Sequence, residues 1–287
     1  MSKKKENINM KKNIILIEII IAGLISLVIA LLCIQPSLFF HPWHDETSYN
    51  QLLSEPDFEE VKIDNNGKLI HGWFKFNTSS QPAPLLIFFG GNVQNSSNTC
   101  LNYLKNSNFK YFANYNFMIV DYPGYGLSEG KTSDKTMFNT ALKAYDYATS
   151  LDYVDNNNIV VLGYSIGTGV ATYLASERTV NGLILVAPYD RALSLYNSYV
   201  NIFYGPLKLL ARYKFDSISY AKKVNVTPLI ITSYDDEVIN YKLSLNLSRY
   251  FKYGSKILTL DNNVKHNDYF SQDEVLDSIY DYLQNLK

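Results

Sequence analysis

Cysteine is nearly absent: Cys33 and Cys100 are the two in 287 residues. Two are too few for a disulfide framework, and Cys33 falls inside an apolar run. An excess of one charge sign is missing as well. With 26 basic and 27 acidic side chains and a formal net charge of -1, no overall field draws nucleic acid or holds the chain on an anionic surface. No Pro/Gly/Ser-rich linker and no internal repeat divides the chain, which leaves one large domain. Histidine is scarce too. Of His41, His44, His71 and His266, only His266 follows the aspartate pair Asp235-Asp236, and a single histidine near two aspartates is too little for a zinc site, so neither metal nor cofactor is expected.

What is present is core-forming material: 47% of residues are hydrophobic and 18% charged, which excludes a disordered chain and suits a sizeable folded unit. The 24 tyrosines and 15 phenylalanines fit ordinary packing and equally an apolar cleft.

Ile14 to Ile34 is an apolar run interrupted by Glu18, Gly23 and Ser26, long enough as a helix to cross a hydrocarbon core of about 30 Å. Lys3, Lys4, Lys5, Lys11 and Lys12 precede it, and Asp45, Glu46, Glu55, Asp57, Glu59 and Glu60 follow. Cationic flanks stay in the cytoplasm, so the rest of the chain is expected on the extracytoplasmic side, periplasmic in a bacterium. Pro36 and Pro42 are expected to end the helix. A cleaved signal peptide is the rival, but its apolar region is shorter and ends at a small-x-small site. Ala30-Leu31-Leu32-Cys33 offers bulky leucines there. The expected organisation is a basic tail (1–13), a transmembrane helix (14–34), a tether (35–57) and one domain (58–287).

Within the domain, short apolar runs alternate with helical stretches. Strands are expected over Glu60 to Ile63, Ile70 to Phe76, Leu85 to Phe89, Phe117 to Asp121, Ile159 to Leu162, Gly182 to Val186, Leu229 to Thr232 and Ile257 to Leu260. The first two form a hairpin around Asn65-Asn66-Gly67. From Leu85 on, the runs are continuous in Ile, Leu, Val and Phe, as in strands buried on both faces. An α/β sheet covered on both sides is therefore expected, its site just beyond the strand ends.

Ile159-Val160-Val161-Leu162 leads into Gly163-Tyr164-Ser165-Ile166-Gly167, and Val170 to Ala175 follow as a helix. A serine at the tip of a strand-turn-helix needs glycine on either side, because strand and helix approach too closely there for side chains. Gly163 and Gly167 meet that need, and Ser165 is the candidate nucleophile. A hydroxyl requires a histidine base, which requires a carboxylate; after such an elbow the acid comes first and the histidine second. His266 alone follows Ser165, whereas Asp190, Asp235 and Asp236 all satisfy the order. The developing oxyanion needs two backbone N–H groups. Ile166 supplies one. The loop Gly90-Gly91-Asn92-Val93-Gln94-Asn95 brings the main chain close, with Val93 as the second donor.

Phe89-Gly90-Gly91-Asn92, Asp121-Tyr122-Pro123-Gly124-Tyr125-Gly126-Leu127-Ser128, the elbow, Ala187-Pro188-Tyr189-Asp190, Phe215-Asp216-Ser217, Asp236-Glu237-Val238-Ile239 and His266-Asn267-Asp268 together resemble the alpha/beta-hydrolase superfamily. Within it, the chain is similar to the membrane-tethered proteins that include animal depalmitoylases and uncharacterised bacterial homologues. The resemblance runs from about Phe58 to Leu286. It implies a mostly parallel eight-stranded sheet, helices on both faces and a small helical cap over about 190–226, opened by Asp190 in a structural role. It assigns the acid to Asp236. Ser233 stands where the family has glycine, Asn240 where it has proline, and Phe89-Gly90-Gly91-Asn92 where it more often has His-Gly-Asn.

The expected activity is serine hydrolysis of a carboxylic ester or thioester through an acyl-enzyme on Ser165, Asp236 and His266. The expected substrate is a small-molecule or lipid-like acyl compound, or an acylated protein. A peptidase on the same triad is the nearest alternative, and a non-catalytic membrane-anchored scaffold is a third.

Overall fold

The computed structural model describes residues 2–77, 82–199, 201–261 and 263–286. Its strands are β1 (Phe58–Asp64), β2 (Leu69–Lys75), β3 (Ala83–Phe89), β4 (Asn116–Val120), β5 (Val154–Tyr164), β6 (Gly182–Val186), β7 (Leu229–Ser233) and β8 (Lys256–Leu260). Its helices are α1 (Ser2–Phe39), α2 (Glu46–Leu52), α3 (Ser96–Lys105), α4 (Asp134–Ala148), α5 (Ile166–Glu177), α6 (Ala192–Tyr199), α7 (Ser217–Ala221), α8 (Tyr241–Ser248) and α9 (Asp273–Gln284).

The eight strands form one sheet in the order β1-β2-β4-β3-β5-β6-β7-β8. β1 and β2 pair antiparallel, β2 runs antiparallel to β4, and every remaining pair is parallel. A mostly parallel eight-stranded sheet with helices packed against it is the architecture that the resemblance implied. The hairpin closes through Asn66 and Gly67, at φ 57° and 75°. Both signs are positive, as the twist of a two-residue hairpin turn demands, and asparagine and glycine tolerate that region best. The central strands carry the core: Leu85 to Phe89 and Val160 to Leu162 are fully enclosed. Trimming a residue such as Leu162 to alanine costs about 2–5 kcal/mol.

The chain leaves β3 to form β4 on one side, then returns to form β5 on the other. The loops after β3 and β5 therefore diverge and leave a crevice between them at the carboxyl ends of the strands. The Gly90–Asn95 loop and Ser165 both lie there.

Three expectations need correction. Pro36 does not end the first helix, which continues to Phe39. Pro36 has no N–H for the Leu32 carbonyl, but one lost bond does not stop the helix: Phe40 N–H donates to the Pro36 carbonyl at 2.9 Å, and the Gln35 side-chain amide adds a bond to the Leu31 carbonyl at 3.2 Å. The segment 35–57 is not bare chain either: Phe39, Phe40 and Leu52 are buried in the main core, and Asp45 caps α2 through the Thr47 and Ser48 N–H groups. β5 begins five residues earlier than expected, because its polar Val154–Asn158 part lacks the apolar run that marks the rest.

Within α1, Asn7–Ser37 is long and apolar enough to cross a membrane, and its most apolar 18 residues have a mean hydropathy of 3.0. Its Ile15, Ile19, Leu24 and Leu27 side chains are all exposed.

Candidate active site

At the end of β5, Ser165 turns the chain into α5 with φ 54° and ψ -121°. A side chain there is strained, at a cost of about 1–3 kcal/mol, and persists only because both neighbours fix it. Ser165 N–H donates to the Val186 carbonyl at 2.9 Å, while Thr168 donates from its N–H and its hydroxyl to the Ser165 carbonyl. The flanking glycines are sterically required. A Cβ on Gly163 would stand 2.6 Å from the Gly167 carbonyl oxygen, and one on Gly167 would stand 2.1 Å from that of Phe89. The elbow is thus pressed against the loop that leaves β3.

Ser165, Asp236 and His266 are all buried and joined in one chain of hydrogen bonds. His266 Nε2 lies 2.9 Å from Ser165 Oγ, and its Nδ1 lies 2.9 and 3.0 Å from the two Asp236 oxygens. A carboxylate accepts only, so the ring proton sits on Nδ1 and Nε2 faces the hydroxyl as a base. Asp236 Oδ1 also accepts from Val238 and Ile239 N–H at 2.9 and 2.8 Å, and the Tyr269 hydroxyl donates to Oδ2 at 3.0 Å. Burial opposes ionisation of Asp236, but the His266 hydrogen bond and charge, with the two N–H groups, outweigh it and hold the carboxyl below its ordinary value.

The other two acids point elsewhere. Asp235 accepts from Asn263 N–H at 3.1 Å, and Asp190 accepts from the Asn246 side chain at 2.7 Å. The departures in the acid turn are accommodated. The Ser233 hydroxyl accepts from Asp235 N–H and donates to the Val264 carbonyl, and Asn240 caps α8 through Lys242 N–H. Glu237 adds a brace by accepting from His266 N–H at 3.2 Å.

A cavity of about 290 Å³ opens over Ser165, bounded by Val93, Ile166, Leu195, Val238 and Phe39. Gly91 N–H is already committed to the Gln94 side chain at 2.7 Å. A larger hollow of about 620 Å³ runs along β8 and α9 past Lys256, Glu274 and Asp281, and holds none of these side chains.

Several contributors escaped sequence reasoning. Phe39 and His41 reach the cavity from the segment expected to be a tether, held by Asn92. Asn92 Nδ2 donates to the Phe39 carbonyl at 2.9 Å, and Asn92 Oδ1 accepts from His41 N–H at 3.0 Å and from the Tyr125 hydroxyl at 2.7 Å. No local pattern announces contacts across 51 and 84 residues. Tyr269 stands three residues after His266, near enough to have been noticed. His71 is buried away from the site, 2.9 Å from Asp121, which in turn holds Ser96 at the start of α3.

Residues 84–269 match the family described as alpha/beta hydrolase fold. Among curated proteins, the chain is 30% identical over 134 residues to alpha/beta hydrolase domain-containing protein aho-3 of Caenorhabditis elegans, covering 47% of this chain and 39% of that one. It is 30% identical over 160 residues to the human alpha/beta hydrolase domain-containing protein 17C, covering 56% and 46%. These matches span less than half of either relative. Among solved structures, an esterase of Pyrococcus furiosus superimposes with a TM-score of 0.66 at 16% identity, over 86% of this chain and 98% of that one. Est1E of Butyrivibrio proteoclasticus, with ferulic acid bound, gives 0.64 at 17% identity, over 79% and 98%.

Proposed function

The chain belongs to the alpha/beta-hydrolase fold family, and from that premise we propose that it is a serine hydrolase cleaving carboxylic esters or thioesters through an acyl-enzyme on Ser165. The observation that carries this is the 2.9 Å approach of His266 Nε2 to Ser165 Oγ, with Asp236 behind the ring. His266 takes the hydroxyl proton as Oγ bonds to the substrate carbonyl carbon, and Asp236 stabilises the imidazolium so formed. The negative charge that develops on the carbonyl oxygen is met by the N–H groups of Ile166 and Val93, each worth about 10²–10³ in rate. Collapse of the tetrahedral adduct breaks the bond to the alcohol or thiol, which leaves with the proton held by His266. Water, deprotonated by the same ring, then releases the acid and restores Ser165.

α1 is the membrane anchor in this reading, its lysine-rich start in the cytoplasm and the hydrolase domain on the other side. The exposed apolar surface of Asn7–Ser37 supports it. Protease protection in sealed vesicles tests the orientation.

The activity is tested with a fluorophosphonate probe and a short nitrophenyl ester. Wild-type protein is expected to label and to turn over, and folded Ser165→Ala to do neither. An unlabelled, folded wild type would overturn the assignment in favour of a scaffold. Faster turnover of aminoacyl amides than of esters would move it to a peptidase.

A further inference from the structure

Gln35, at the end of the apolar stretch of α1, is bonded to the cap on two sides. Its amide nitrogen donates to the Leu210 carbonyl at 2.9 Å, and its amide oxygen accepts from Arg212 N–H at 2.7 Å. Gln35 is 1% exposed, so water does not compete for either bond. The cap backbone at 210–212 therefore lies at the height of Gln35 along the helix. Ile14 to Ile34 spans about 30 Å at 1.5 Å per residue, the depth of a hydrocarbon core, which puts Gln35 at its boundary with the headgroups.

The cap segment at that height has an unusual surface. Tyr204, Leu207 and Leu209 are 58%, 50% and 79% exposed, and Ile202 is exposed beside them. Exposed to water, these side chains gain nothing from their apolar area. Lys208, Arg212 and Lys214 are exposed in the same segment, and no acid occurs from Asn201 to Lys214. Large apolar side chains interleaved with cations, with a tyrosine among them, suit the boundary of an anionic bilayer, where apolar groups enter the acyl region and cations meet phosphates. Phe39 stands one helical turn beyond Gln35, about 6 Å along the axis, and its ring lines the Ser165 cavity and packs against Tyr196 and Tyr213 of the cap.

We propose that residues 201–214 of the cap are a second membrane contact, seated in the headgroup layer of an anionic leaflet, which holds the Ser165 cavity against the lipid so that bilayer-resident acyl chains enter it without crossing bulk water. The delivery part rests on the acyl-transfer reading given above; the membrane contact does not.

The test uses the full chain with Cys33→Ser, reconstituted in phosphatidylcholine vesicles containing phosphatidylserine. Leu209→Cys and, as control on an exposed site of the domain, Tyr253→Cys are each labelled with a nitrobenzoxadiazole fluorophore. The remaining Cys100 is buried. Lipids carrying a nitroxide near the headgroup are expected to quench the label at 209 at least three-fold more than at 253, and less in vesicles without phosphatidylserine. Equal quenching at both positions overturns the contact. For delivery, Leu207→Ser with Leu209→Ser is expected to lower the ratio of long-chain vesicle-borne ester turnover to short soluble ester turnover about ten-fold. An unchanged ratio overturns that part. If the wild type cleaves neither ester, the hydrolase reading fails by itself, while the quenching still decides the membrane contact.

Discussion

The Tyr164 hydroxyl donates to the main-chain carbonyl of His266 at 2.6 Å, and the two rings stack with centroids 5.3 Å apart. The residue before the elbow serine is thus tied to the residue that carries the imidazole, so Ser165 Oγ and His266 Nε2 are registered through the main chain as well as through their own bond. Burial pushes the Tyr164 phenol well above its ordinary value, with the Asp236, Glu237 and Asp268 charges adding to it, and it stays a donor across the working pH range. Tyr164→Phe is expected to cost about 1 kcal/mol of stability and to lower kcat several-fold with KM nearly unchanged. Steady-state kinetics beside urea unfolding check it; a change in KM alone would refute the positioning role.

Ser165 stores strain at φ 54°, ψ -121° that glycine does not feel. Glycine costs about 0.5–1 kcal/mol in chain entropy relative to alanine, less than the strain it removes. Ser165→Gly is expected to be more stable than Ser165→Ala by about 1 kcal/mol, with both inactive. Denaturant midpoints of the two inactive variants compare them directly.

Gly167→Ala is expected to lose about 3 kcal/mol or to fail to fold, since its Cβ meets backbone oxygens of Phe89 and Gly90 that cannot swing away. Gly205→Ala is the contrast. Nothing crowds a Cβ there, and only its positive φ of 53° resists, so its loss should be about 1 kcal/mol.

Asp236→Asn is expected to lower kcat by about 10³–10⁴, because an amide fixes neither the tautomer of His266 nor its charge. Asp235→Asn, which retains an oxygen to accept from Asn263 N–H, should stay within about three-fold of wild type. Equal losses in the two would show that the turn, not the carboxylate, matters.

Acid stability follows from the same carboxyl. Asp236 is depressed in the folded protein relative to its ordinary value near 3.9, so below about pH 5 the unfolded chain binds more protons than the folded one. Its contribution is fully present at neutral pH and is lost as pH falls through the folded value. Between pH 6 and 3 the wild type should therefore lose more unfolding free energy than Asp236→Asn. Parallel curves would contradict the linkage.

The sheet was legible because its central strands, buried on both faces, spell continuous apolar runs, and each of the eight overlaps a stretch expected as strand. The exception, Val154–Asn158, pairs at its start with Ala83 while displaying asparagines to solvent, so hydropathy is silent there. Ser165 and His266 were legible by turn chemistry and by elimination. Spacing did not choose Asp236 over Asp235, since adjacent residues share it; only the resemblance of Asp236-Glu237-Val238-Ile239 to the family's acid motif did, and in the fold the turn decides which one faces the ring. The packing of Phe39 and His41 onto Asn92 was invisible, because contacts closed by the fold across tens of residues leave no periodicity behind. Pro36 misled because a single missing N–H does not end a helix whose next turn is bonded, as the Phe40 N–H bond to the Pro36 carbonyl is.

Ser165 and His266 are 101 residues apart in the chain, and the loop that brings them together follows β8, the last strand along the chain. At a synthesis rate of about 5–20 residues per second, a ribosome needs about 5–20 s to pass from one to the other. For that interval the nascent chain carries a serine hydroxyl without its base. In the reading proposed above, with α1 as anchor and His266 as base, α1 emerges first and the base late, so anchorage would precede reactivity. The order of residues along the polypeptide then acts as a safety catch on biosynthesis.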